Sequence, residues 1–303
     1  MKVFVAGASG TIGVPLVRAL LIAGHQVFAT TRTPAKQKML SALGATPVIV
    51  DALDAAALGA ALRSTAPTHV IHQLTALPKT GARRASDLEA TNRLRIEGTR
   101  NLLRGSIAAG ARRLIVGSFA MIAEPGGPDS APDTIEAAKA IQSMESQVLE
   151  AARGNLIEGI VLRYGLFYGP GNPATDEMIA MVRKRRLPRI RNDRGRLPFI
   201  HVEDAVAATV AALQKGTSGS VFNIVDDHPS SFSEMVTAMA QIAGAPKPFT
   251  VPAWLLRIVS PYLARLLTLD VPLSNAAARG ELGWRPMYPS YREGLRETIA
   301  HAA

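Results

Sequence analysis

The sequence predicts an α/β fold, a parallel doubly wound sheet with helices on both faces and a smaller, interlocked C-terminal lobe. Three observations carry the sheet. Short runs rich in Val and Ile alternate with helical runs through the first half of the chain, as in strands buried on both faces and joined by crossover helices. The first strand runs directly into Gly7, Gly10 and Gly13 and then into a helix. A chain of 303 residues, 48% of them hydrophobic, can bury a large core.

Val3, Phe4 and Val5 make residues 2–6 a buried strand, and Val14, Leu16, Val17, Leu20 and Leu21 recur at helical spacing over 11–23. Strands follow at 26–31 and 46–50, around a short helix at 35–43. A helix at 55–63 leads to a strand at 69–73, and a long helical run spans 84–109. Leu114, Ile115 and Val116 mark the strand at 113–116, the helix 133–152 follows it, and 157–163 is the sixth strand. Pro and Gly over 124–128 suggest a mobile loop beside the site.

The glycine turn is where the chemistry begins. Gly7 permits a tight exit from the strand, Gly10 lets backbone approach a pyrophosphate, and Gly13 lets the helix press on the strand. With Ser9, Thr11 and Ile12 these residues form a dinucleotide-binding turn of the Rossmann type, its free helix amides facing the anion. The second strand ends in Thr30-Thr31-Arg32-Thr33. No Asp or Glu precedes Asp51, so a ribose-reading acid is missing from its expected place. Arg32 there suits a 2′-phosphate, which predicts NADP(H) in preference to NAD(H). Asp51 and Ala52 after the third strand, and Gln73, Leu74 and Thr75 after the fourth, fall at carboxyl ends of strands, where adenine and phosphates run. The same side chains would serve equally well as turn formers.

Composition removes several classes. The absence of cysteine excludes disulfides, thiolate catalysis and cysteine-ligated metals, and six scattered histidines show no ligand spacing, so no metal is expected. A single Lys2 and then an apolar strand with no small-residue cleavage site do not read as a signal peptide, and a cytoplasmic enzyme fits best. The longest apolar run, 251–273, is broken by Arg257 and Arg265, which argues against insertion in a membrane. The formal charge of +10 comes with no nucleic-acid module and only 5% aromatics, so anionic small molecules explain it more simply than nucleic acid.

Gly7-Ala8-Ser9-Gly10-Thr11-Ile12-Gly13, Val70-Ile71-His72-Gln73-Leu74, Gly98-Thr99-Arg100-Asn101-Leu102-Leu103, Leu162-Arg163-Tyr164-Gly165-Leu166-Phe167-Tyr168-Gly169-Pro170-Gly171 and Phe199-Ile200-His201-Val202-Glu203-Asp204-Ala205 follow one another in order. With Leu282-Gly283-Trp284-Arg285-Pro286 near the end, the series resembles the extended short-chain dehydrogenase/reductase family, which includes nucleoside-diphosphate-sugar epimerases and dehydratases. The resemblance implies a cofactor domain over 1–170 plus about 199–228, and a substrate-binding lobe over 171–198 plus about 229–303. It implies a helix at 202–213 and a strand at 221–225 returning to the sheet, and pairing of long helices into a homodimer.

The family's acid/base pair is a Tyr and, four residues on, a Lys, close to a Ser at the end of the fifth strand. Ser118 fills the serine slot. Glu145 matches an acid usually found four residues beyond the lysine, and counting back places Ile141 in the lysine slot and Ala137 in the tyrosine slot. The first of five tyrosines is Tyr164 and none has a lysine four residues on, so the usual pair cannot exist. Lys139 lies about 200° round the helix from Ile141 and reads as solvated. Where the family commonly has an asparagine before the equivalent of Gly98, this chain has Arg95, with Asn92 one turn earlier.

Ser118, Tyr164 and Tyr168 are the catalytic candidates, the tyrosines as proton donors near the end of the sixth strand. Ser118 and Tyr164 are also expected against the cofactor. His201 reads as a structural link between the lobes. The run Arg183-Lys184-Arg185-Arg186 with Arg189, Arg191, Arg194 and Arg196 is a solvated face or a clamp on an anionic small-molecule substrate. Two readings follow: an atypical NAD(P)-dependent oxidoreductase or epimerase acting on a carbonyl, quinone-like or sugar-nucleotide substrate, or a redox-silent NADP-binding sensor.

Overall fold

Strand β1 (Lys2–Ala6) lies inside a seven-stranded sheet, because Val3 to Ala6 are apolar on both faces and both its edges are paired. In the computed structural model, which describes residues 1–78, 81–121 and 132–301, α1 (Gly13–Ile22), β2 (Gln26–Thr31), α2 (Gln37–Ala42), β3 (Thr46–Ile49), α3 (Ala55–Thr65) and β4 (His69–His72) follow. The next helical run is broken: a 3₁₀ turn (Ala85–Leu88), α4 (Glu89–Arg93), a π-helical turn (Leu94–Gly98) and α5 (Thr99–Ala108). Then come β5 (Arg113–Phe119), α6 (Pro132–Arg153) and β6 (Glu158–Tyr164).

The remainder is β7 (Leu166–Tyr168), α7 (Pro173–Arg183), β8 (Arg189–Ile190), β9 (Phe199–His201), α8 (Val202–Lys215), β10 (Val221–Ile224), α9 (Phe232–Ile242), β11 (Thr250–Val251), α10 (Ala253–Val259), α11 (Pro261–Leu267), α12 (Ala276–Leu282) and α13 (Tyr291–His301). The large sheet runs β10-β6-β5-β4-β1-β2-β3, all parallel. Strand order reverses at β1, so the glycine turn stands at the switch point, where a crevice opens beyond the carboxyl ends.

Alternation along the strands sends Val3, Val5, Ile71 and Ile115 into one core, with α1 and α8 (Leu16, Ala208), and Phe4, Val70, Leu114 and Val116 into the other, with α3, α5 and α6 (Leu58, Leu102, Val148). A third cluster outside the sheet joins Tyr168, Ile179, Phe199, Met239 and Leu295. Ala278, Leu282 and Trp284 pack with the first core. That part of the chain therefore touches the sheet domain again, where the sequence places it within the lobe. Asp204 explains the return: its carboxylate accepts the amides of Met287 (2.6 Å) and Tyr288 (3.0 Å), and its carbonyl accepts the Trp284 indole N–H (3.1 Å).

The helix expected over 84–109 is interrupted by a 3₁₀ turn and a π turn. The wider π turn brings Leu94, Arg95 and Gly98 onto the buried side together, and Gly98 sits against Ala52. Strand β5 runs three residues further than expected, since the pairing with β6 continues through Gly117↔Leu162, Ser118↔Arg163 and Phe119↔Tyr164. The loop expected over 124–128 lies outside the described residues.

Candidate active site

The glycine turn is built so that only glycine fits two of its positions. Gly7 has φ +90°, and a Cβ there would lie 2.5 Å from the carbonyl oxygen of Gln73; a Cβ on Gly13 would lie 2.2 Å from that of Gly7. The turn is held from below: Gly7 N–H donates to Thr30 Oγ1 (3.2 Å) and Gly10 N–H to the Gly7 carbonyl (3.1 Å). Gly10 itself is exposed, with Ser9 and Thr11 half-buried beside it and Ile12 packed into the core. A bare backbone concavity at a helix N-terminus fits a pyrophosphate, so this cradle suits a dinucleotide.

Around it stand the ends of β2, β3 and β4. Arg32 is exposed and lies 4.0 Å from Asp51 Oδ2. Adjacent parallel strands thus bring the first acid of the chain, Asp51, beside Arg32. The other Asp51 oxygen accepts the Leu53 amide (2.9 Å), the turn-forming role, and the Ala52 carbonyl accepts Asn101 Nδ2 (2.9 Å). Lys36 reaches Ser9 Oγ at 3.4 Å. After β4, the Leu74 amide donates to His72 Nδ1 (3.1 Å) and Thr75 is exposed. His72 is fully enclosed, and burial with the nearby Arg95 charge pushes its pKa down to about 4, so it is neutral at pH 7.

At the other end of the crevice, Ser118 is buried and donates to Glu145 Oε1 at 2.5 Å. Arg163 grips the same carboxylate with two bonds, 2.9 Å from Nε and 2.6 Å from Nη2. Glu145, a spacing marker in the sequence, is the buried hub that joins buried Ser118 to the half-exposed Arg163. Ile141 and Ala137, one and two turns before it on α6, are buried and apolar, and Lys139 faces solvent, paired with Glu136.

A family model described as the NAD dependent epimerase/dehydratase family matches residues 3–225. The chain belongs to that family. A member from Streptomyces, the 3-diazoavenalumate denitrifying reductase, is 38% identical over 97% of this chain and 99% of its own. A 2-alkyl-3-oxoalkanoate reductase of Stenotrophomonas maltophilia is 24% identical over the full length of both chains. Among solved structures, the Thermus thermophilus UDP-glucose 4-epimerase in complex with NAD superposes with a TM-score of 0.79 at 23% identity, covering 99% of this chain and 98% of that one, and shares the fold. Membership in the epimerase/dehydratase family makes the chain an NAD(P)-dependent oxidoreductase or epimerase.

Within the family's site, the two tyrosines proposed as proton donors are not on an open wall. Tyr164 is 3% exposed, its hydroxyl 2.7 Å from Thr209 Oγ1 and accepting from Gln73 Nε2 (2.9 Å), and burial pushes its pKa up to about 12. Tyr168 is 1% exposed, donates to Asp226 Oδ2 (2.9 Å) and has its pKa raised by burial and by that carboxylate. The structure therefore places both expected proton donors in the core with their hydroxyls already hydrogen-bonded. Gln73 likewise reaches under the sheet end toward Tyr164.

His201, fully buried, accepts the Glu203 amide (3.4 Å) at the start of α8 and lies 5.2 Å from the ring of Tyr168 and 4.2 Å from that of Tyr288. The basic run is partly neutralised, with Arg196 gripping Asp270 at 2.6 and 2.9 Å.

Proposed function

We propose that the chain is an NADP(H)-dependent reductase that delivers hydride to a strongly electrophilic small acceptor without a proton relay. The observation that carries the reading is the apolar pair Ala137 and Ile141 on α6, both under 4% exposed, at the slots where the family resemblance expects Tyr and Lys. A ketone cannot be reduced without a proton for its oxygen, so those slots matter for ketones. A quinone-like or diazonium acceptor is different.

The relative named as a 3-diazoavenalumate denitrifying reductase supports the diazonium case. When an aryl diazonium takes a hydride at the ring carbon, a C–H bond forms, the C–N bond electrons leave on N₂, and no proton enters. The bound nicotinamide would supply that hydride. Ser118, with its own proton given to Glu145, would orient the acceptor through its free lone pair. Arg32 and Lys36 beside the glycine turn favour the 2′-phosphate of NADP(H); the Arg32–Asp51 pair is long and exposed and so weak.

The test uses NADPH and NADH deuterated at the transferred position, with a benzenediazonium salt. The reading predicts N₂ release above the uncatalysed rate, with deuterium in the arene, and faster saturation with NADPH. Arg32→Ala should erase roughly tenfold or more of that preference, the worth of a charge-assisted contact. Equal saturation by NADH contradicts the cofactor assignment. Reduction of ketones with none of the diazonium contradicts the acceptor class, and NADP binding with no turnover on either points to the redox-silent sensor.

A further inference from the structure

A helix that is apolar all round belongs in a core, and α10 is apolar at every position except Arg257. Ala253 and Leu256 turn inward and pack against the third cluster. Trp254, Ile258 and Val259 point the other way and are 61%, 70% and 74% exposed, with Leu255 beside them at 37%. At 3.6 residues per turn these four make one contiguous side of the helix, about 140° wide. Phe249, just before β11, extends the patch. Large apolar side chains exposed elsewhere among the described residues are scattered singly along the chain, whereas these five fall between 249 and 259. Isolated ones are normal on a protein surface; a cluster marks a place of contact.

The chain that frames this patch is basic. The run from Arg183 to Arg196 holds one acid, Asp193, whose two oxygens accept the amides of Gly195 (3.1 Å) and Ser233 (3.0 Å). It is laced to the apolar segment at both ends. At the entry β8 pairs with β11: the Arg189 amide donates to the Phe249 carbonyl (2.9 Å), the Arg191 amide to that of Val251 (2.8 Å), and Arg189 Nε to Thr250 Oγ1 (2.7 Å). At the exit the Arg196 amide donates to the Leu269 carbonyl (3.1 Å), and its guanidinium neutralises Asp270, the sole acid of the sequence from Gly244 to Val271. Arg185, Arg186, Arg191 and Arg194 are exposed, as are Lys247 and Arg257 at the margins of the patch itself.

We propose that this face of the lobe docks on an anionic membrane surface, with Trp254, Ile258 and Val259 entering the boundary between headgroups and acyl chains and the basic run lying on the lipid phosphates. An apolar helix side with an aromatic anchor and a cationic rim is complementary to such a surface in both polarity and charge. A second copy of the chain fits less well, because a twofold contact would set one basic rim against the other. A polyanion alone would leave the apolar side in water. Among the described residues no helix is long and apolar enough to cross a membrane, so the contact is shallow. The proposal is independent of the cofactor and of the hydride acceptor.

The test is flotation of the full chain with vesicles of phosphatidylcholine alone and of phosphatidylcholine mixed equally with phosphatidylglycerol, together with quenching of tryptophan emission by lipids brominated on the acyl chains. The wild type should bind the mixed vesicles roughly tenfold or more tightly than the neutral ones and release them as salt is raised. Its exposed Trp254 should be quenched, while Trp284, 4% exposed, stays out of reach. Trp254→Ser with Ile258→Ser, and separately Arg185→Gln with Arg186→Gln, change only exposed side chains. Each pair should weaken binding to mixed vesicles by roughly tenfold or more with the thermal midpoint unchanged. Equal binding to both vesicle types, or binding without quenching, overturns the proposal with no variant needed. So does a serine variant that binds as the wild type does, which leaves only surface electrostatics. A wild type that ignores vesicles and is dimeric, with a monomeric serine variant, overturns it too and gives the face to a second copy.

Discussion

The Ser118 hydroxyl donates its hydrogen bond to Glu145, and Arg163 holds that carboxylate in place with two further bonds. A hydroxyl so committed cannot donate to a developing oxyanion at the same time. Ser118→Ala should therefore cost less than roughly tenfold in kcat and leave cofactor affinity unchanged; a loss of 10²–10³, the usual price of removing an oxyanion donor, contradicts this arrangement. The serine's place at the end of β5 is legible in the sequence, because spacing fixes it. Its partner is not. Glu145 and Arg163 are 18 residues apart, and only the pairing of β5 with β6 and the docking of α6 bring them to one point. The surroundings of Tyr164 and Tyr168 were hidden for a related reason: sequence shows that they stand near a strand end, but not that Thr209, Gln73 and Asp226 hydrogen-bond their hydroxyls.

At the scale of elements, local signals were sufficient where one residue type alone could meet a backbone demand. Gly7 and Gly13 announce the turn because any side chain there collides with carbonyls. The interruption of the helix at Leu94–Gly98 had no such signal, since Leu, Arg, Ile and Glu all suit an uninterrupted helix. The tie between α8 and the C-terminal segment is equally non-local. Asp204 holds it through two backbone amides, and an asparagine offers one acceptor oxygen where the carboxylate offers two. Asp204→Asn should destabilise the fold by about 1–3 kcal/mol. In a Trp254→Phe background, emission from Trp284, 4% exposed, should shift to the red before global unfolding. A variant as stable as wild type, with unshifted emission, would show that the tie contributes nothing.

For the whole molecule, the parallel doubly wound sheet was legible because burial on both faces leaves a plain signature: continuous Val- and Ile-rich runs separated by helices. The reversal of order at β1 then puts the cradle, Arg32, Gln73–Thr75 and Ser118 along a single line of strand ends. What chemistry that line performs depends on a proton route, and the molecule places apolar side chains at Ala137 and Ile141 and sealed phenols at Tyr164 and Tyr168. The account stands or falls on hydride transfer without proton transfer. The most direct measurement is the single-turnover rate of NADPH oxidation by a benzenediazonium salt in H₂O and in D₂O at matched pL near neutrality. The account predicts a solvent isotope effect close to 1, whereas a ratio above roughly 2 would show a proton moving in the same transition state and contradict it.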